Sequence, residues 1–385
     1  MAAGLVAAAT LAAATPAHAG QVLRVEDDGG ARLVRDRALP PRAQTALPTH
    51  ERTRVVGLRP LARAATLPAA QQGEVDAALA EARQTRDGLP AGPARAELAG
   101  VIANVEALQA SGQLTVTRVP ATLMTLRRNT QFWRANQPPA AGTRVTFTGS
   151  PVILEYYPGE GLQIQPLANF GKANSLYSLC RADANTTCTK LRTLLDAMLA
   201  LGSQRGSFTA WEYFFDFEGG VPPWTSAMSQ GTGIQALSRA YRLTGVTTYR
   251  DAAAAAVGAF ETAPPVGVAV PATGGTHYLM YSYAPRLFIF NGFLQSLVGL
   301  DDYRDFTGDP RGTTLFRAGH GNAKAIVPLS DTGSWSRYSV DGPDSTLEYH
   351  VLLRDILDSL CHRQGNAVYC DTAARFTGYL AARGG

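Results

Sequence analysis

The sequence predicts a mainly α protein: an α/α toroid of antiparallel helical pairs, preceded by a small β element and an N-terminal helical hairpin. Three observations predict it. Apolar residues recur at helical spacing in four successive pairs of segments, 165–181 with 188–203, 224–244 with 247–261, 289–305 with 311–327, and 346–361 with 369–382. The pairs repeat about every 40 to 60 residues, as in helical repeat architectures, and long antiparallel pairs in series can close around a cleft. The 385 residues are 45% hydrophobic and 17% charged, which suits a soluble chain with a sizeable core.

Taken in order, residues 1–19 are Ala-rich and end Ala17-His18-Ala19, a small-x-small pattern that predicts a signal peptide cut before Gly20, and hence a secreted or cell-envelope protein. Residues 20–70 are rich in Arg, Pro and Ala without sustained periodicity and are expected to form a flexible arm. An N-terminal helical region follows over 71–142. Within it Val75, Ala78, Leu79 and Ala82, then Leu98, Ile102, Val105 and Leu108, predict a helical hairpin divided by Leu89-Pro90-Ala91-Gly92. Between 143 and 157 the period drops to two, with Val145, Phe147, Val152, Leu154 and Tyr156 around Gly149-Ser150-Pro151, and predicts the β element that opens the domain at 143–385.

The net charge of +4 sits at the start of the chain. Residues 1–64 hold nine Arg against five acids, whereas the rest is balanced at 26 of each sign, which excludes a basic nucleic-acid-binding surface on the body. No segment after the leader has the length to span a membrane. The four cysteines form two local pairs, Cys180 with Cys188 and Cys361 with Cys370, read as loop-closing disulfides; their spacing is wider than that of structural zinc sites, and no metal is expected.

Chemistry is expected in the loops between helices. The run 211–220 (WEYFFDFEGG) places Glu212, Asp216 and Glu218 among aromatics, which suits either a hydrolase acid pair or a packed aromatic loop. The segment 224–241 has small residues at helical spacing, including Gly231 and Gly233, which invites a close approach by a helix or a ligand. Tyr278, Tyr281 and Tyr283 alternate as on a strand, Tyr338 closes the loop that starts at Asp331, and Tyr349 sits beside His350.

These residues resemble a known family, the D-glucuronyl C5-epimerase C-terminal domain. The motifs are 224–244 (WTSAMSQGTGIQALSRAYRLT), 288–300 (FIFNGFLQSLVGL), 325–338 (AIVPLSDTGSWSRY) and Tyr349-His350, with a fainter echo at 161–174 (GLQIQPLANFGKAN). The resemblance implies a β-rich part leading to an α/α toroid. It also implies inversion at C5 of glucuronate to iduronate within an anionic polysaccharide, without a cofactor. It makes Tyr281, Tyr338 and Tyr349 the catalytic candidates, since inversion needs a base on one face of the sugar and an acid on the other. Trp224, Gln230, Tyr283, Arg286, Asn291, Asp331, Arg337 and His350 are the candidate substrate contacts. Two positions depart from the family pattern: Met280 replaces a Glu, and Ser339-Val340-Asp341 stands where an Arg is expected, leaving Arg286 or Arg337 to supply a cation. The competing readings are a uronate lyase, a carbohydrate-binding protein without activity, and a hydrolase using the 212–218 acids; a homodimer is left open.

Overall fold

A computed structural model describes residues 20–40, 66–182 and 187–383. The expected leader and most of the second half of the expected arm lie outside the described residues.

Residues 20–40 correct the flexible-arm expectation. Strands β1 (Gln21–Val25) and β2 (Ala31–Arg35) form a hairpin, and β1 runs parallel to β3 (Arg144–Phe147), with Leu23 opposite Val145. With β4 (Leu154–Tyr157) and β5 (Gly161–Ile164) they make a five-stranded sheet in the order β2-β1-β3-β4-β5. Period two is hidden in the first hairpin because only Val22 and Val25 of β1 are buried, three residues apart, and β2 is an edge strand with Arg32, Leu33 and Arg35 in solvent. The N-terminal helical region holds the predicted hairpin, α1 (Ala69–Gly88) and α2 (Pro93–Ala110), plus a third helix, α3 (Val119–Trp133), that packs on both. Asn129 of α3 donates to the Leu162 carbonyl and accepts from its N–H (2.7 and 2.8 Å), tying the helices to β5.

The four predicted pairs are all present: α4 (Pro166–Ala182) with α5 (Thr187–Ala200), α6 (Ala227–Thr244) with α7 (Thr247–Ala256), α8 (Phe290–Thr307) with α9 (Pro310–Ile326), and α10 (Leu347–Gln364) with α11 (Ala367–Ala382). The first helix of each pair is the inner one, and α4, α6, α8 and α10 pack serially side by side, in the manner of an α/α toroid. Local sequence explains the turns. Gly245, Gly308 and Gly365 end three inner helices in the left-handed region, and Asp309 and Asn366 then cap the outer helices that follow. Disulfides Cys180–Cys188 and Cys361–Cys370 close two of the four turns, with Cα separations of 4.9 and 4.8 Å.

The glycines of α6 serve helix packing. A methyl on Gly231 would meet the Cα of Ser296 at 2.7 Å, and one on Gly299 would meet the Gly231 carbonyl at 2.1 Å, so α6 and α8 touch backbone to backbone. Further along the same helices Arg239 and Arg363 converge on Asp302 of α8 (2.7 and 2.6 Å), an ionic clasp across three inner helices. Because every inner helix runs the same way, their four N-termini lie at one end, opposite the Gly turns.

Candidate active site

That end carries a cluster of buried aromatics separate from the main core. Its members come from the segments entering the inner helices: Leu167 at the start of α4, Trp224 and Met228 around the start of α6, Met280 to Ile289 before α8, and Tyr338 and Tyr349 around the start of α10. Ser226 and Thr346 cap α6 and α10 there with their side-chain oxygens. The positive ends of four helix dipoles thus face one region, which favours a bound anion.

Tyr281, Tyr338 and Tyr349 meet in this cluster although they are 57 and 11 residues apart in sequence. Tyr338 reaches the Tyr281 hydroxyl as a hydrogen-bond partner, and the rings of Tyr338 and Tyr349 meet edge to face at 5.1 Å. The strand expected to carry Tyr278, Tyr281 and Tyr283 is a correction: the strand Gly275–Tyr278, paired with Ala269–Ala272, stops at Tyr278, whose hydroxyl donates to the Leu315 carbonyl in the main core. Tyr281 and Tyr283 sit in the irregular segment beyond it, stacked at 5.5 Å, and Tyr283 donates to the Phe217 carbonyl (2.6 Å).

The other predicted contacts divide. Trp224 stacks on Tyr213 at 4.0 Å and meets Tyr281 edge-on at 5.7 Å, so it lines the cleft. Asn291, on the first turn of α8, is buried with neither amide atom satisfied by the protein, which costs on the order of 1–3 kcal/mol unless a bound group pairs with it. Arg286 is exposed between Ala284 and Leu287 of the cluster and has no ion pair among the described residues; Arg337 donates to the Gly342 carbonyl beside Tyr338. Three others are held by the protein itself. Gln230 is fully buried and spends its amide on the backbone of Thr209, Trp211 and Ala256. Asp331 is held by Arg375 and Tyr379 and ties its loop to α11. His350 is buried between Ser336 and the Phe376 carbonyl and stacks on Trp335 at 3.6 Å.

Sequence reasoning missed the opposite wall. The Gln165 amide donates to the Tyr157 hydroxyl (2.7 Å) and accepts from Tyr213 (3.0 Å), which also bonds Ser229 (2.6 Å). The signal was present in the 211–217 run, where Tyr213, Phe215 and Phe217 alternate onto the cleft while the interest lay in the acids between them. Of those acids, Glu212 is spent on ion pairs within the protein. Glu212 is buried and gripped by Arg118 and Arg205, whose charges outweigh the burial that would raise it and hold its carboxyl below the usual range. Asp216 is exposed and caps Gly219. That geometry commits Glu212 to structure and not to hydrolysis.

Burial pushes the Tyr281 phenol well above its ordinary value, and the neighbouring Tyr349 and Tyr213 add to the rise while Tyr338 opposes it. Burial likewise raises Tyr157, Tyr213 and Tyr283. These groups stay protonated in the folded chain after the unfolded chain would release its protons, so the stability they contribute is fully present below about pH 10 and lost as pH climbs beyond it. A spectrophotometric titration at 295 nm is therefore expected to show these phenols ionising together with unfolding. A smooth titration of all 14 tyrosines near pH 10 in a protein that stays folded would contradict it.

The fold and this end of it define a helical-hairpin domain with a tyrosine-rich, anion-favouring cleft. Residues 204–378 match the family described as D-glucuronyl C5-epimerase C-terminus. A D-glucuronyl C5-epimerase of Caenorhabditis elegans is 32% identical over 178 residues, which are 41% of this chain and 29% of that protein. An uncharacterised protein of Methanocaldococcus jannaschii is 26% identical over 170 residues, 42% of this chain and 55% of the relative. The chain thus spans between about a third and about half of the length of these curated relatives. Among solved structures, a sugar epimerase from a ruminal bacterium overlays with a TM-score of 0.45 at 10% identity, covering 79% of this chain and 75% of that one.

Proposed function

We propose that the chain is an exported C5-epimerase of uronic acid residues in a polysaccharide, converting D-glucuronate to L-iduronate without a cofactor. The observation that carries the reading is the convergence of Tyr281, Tyr338 and Tyr349 where four inner-helix N-termini meet. The sugar carboxylate is held by that positive field, by the unspent Asn291 amide and by Arg286 or Arg337 at the rim. Tyr349 sits on the first turn of α10, where the helix dipole eases a phenolate, and takes the C5 proton. The C5–H electron pair moves into the carboxylate as an enediolate. Tyr281, which burial keeps protonated, gives its proton to the opposite face and is left as a phenolate, and transfer of the proton gained by Tyr349 to Tyr281 restores the phenolate base and the phenol acid. Tyr338, touching both, bridges acid and base. Two disulfides are consistent with export into an oxidising compartment.

Incubation with a glucuronate polymer in deuterated water tests the reading. C5 deuterium in intact chains is the expected result. Chain cleavage with 4,5-unsaturated ends would make the protein a lyase, and tight binding without exchange would make it a carbohydrate-binding protein.

A further inference from the structure

A second cleft, of about 570 Å³, opens between the β1–β2 hairpin and the α4–α5 hairpin. Arg24, Arg35 and Arg37 line one wall, Lys172 and Lys190 the other, and Asp36 is the one carboxylate in the lining. Asp36 is spoken for by Lys172 at 2.8 Å, which pins the strand to α4. Arg24, Arg35, Arg37 and Lys190 make no ion pair among the described residues, so four cations without a direct carboxylate partner there border a concave space. The concentration is unusual for this chain, because two of its three lysines are here and its body is otherwise neutral.

Unpaired cations crowded around a cavity of small-ligand size repel one another and are relieved by a bound anion. The lining contains no aromatic ring on which a nucleobase could stack, and instead offers the Thr189 and Thr193 hydroxyls. We infer that this cleft binds an anionic carbohydrate chain; that the anion is a carbohydrate rests on the epimerase reading above. Lys172 lies roughly 140° round α4 from Leu167, at 100° per residue, so the basic cleft is turned away from the tyrosines. It holds polymer while a sugar elsewhere on the chain reacts, and a short oligosaccharide in the tyrosine cleft does not reach it.

The test compares the full chain with the variant Arg24→Glu/Arg35→Glu/Arg37→Glu and, on the other wall, Lys190→Glu. All four side chains are exposed, and Lys190→Glu guards against a folding defect in the strand variant. Affinity for a long glucuronate polymer is expected to fall on the order of 10-fold or more in the triple variant, with a shallower salt dependence, and in the same direction for Lys190→Glu. Exchange at C5 of a glucuronate tetrasaccharide is expected to stay unchanged. Undiminished polymer affinity in both variants overturns the inference. So does displacement of polymer by millimolar phosphate, or tighter binding to duplex DNA or to phosphatidylglycerol vesicles than to the polymer. Charge-dependent polymer binding with no C5 exchange in any protein would keep the cleft and discard the epimerase reading.

Discussion

Tyr349→Phe is expected to lower C5 exchange on a glucuronate polymer by roughly 10²–10⁴-fold, the usual loss for a general acid or base. Folding is expected to change little. The substitution keeps the ring that meets Tyr338 edge to face and leaves the Thr346 cap on the Tyr349 N–H in place, so only the hydroxyl is lost. Polymer affinity should also hold, because the carboxylate contacts and helix termini remain. The decisive comparison is kcat against KM: a fall in kcat alone removes an interaction made in the transition state. Full activity in the variant would return Tyr349 to a packing role, and equal losses of stability and activity would do the same.

Much of this architecture was legible because local and global signals agree. The four helical pairs carry apolar residues at helical spacing, and three of their four turns hold Gly245, Gly308 and Gly365, the last two followed by the capping residues Asp309 and Asn366. The β1–β2 hairpin was not legible, since an Arg-rich edge strand with one wet face shows no alternation. Residue types at the site were legible through the resemblance, but their roles depend on what each polar atom already holds. His350 and Gln230 stand in the same motifs as Trp224 and Tyr349, yet their hydrogen-bonding capacity is consumed by backbone and by Ser336. Spacing cannot report that, because the partners come from the short strand Phe208–Ala210, α7 and α11, remote in sequence.

Glu212→Gln is expected to cost about 3–5 kcal/mol of stability, the range for breaking a buried ion pair by removing one partner. Glu212 accepts from Arg118 through both oxygens (2.7 and 3.0 Å) and also pairs with Arg205, and all three side chains are almost wholly buried. Arg205 in turn donates to the carbonyls of Pro223, Pro265 and Val266, and Arg118 to that of Gln113. A neutral amide leaves two guanidinium charges in a dry site without the one carboxylate they share. The loss falls on the loop that carries Tyr213, Phe215, Phe217 and Trp224, so the wall facing Tyr281 loosens first. Urea unfolding should show a lower midpoint, with residual C5 exchange scaling with the folded fraction. A Glu212→Gln protein as stable as the parent but devoid of activity would mean that the carboxylate takes part in the chemistry, and the ion-pair account of this residue would have to be given up.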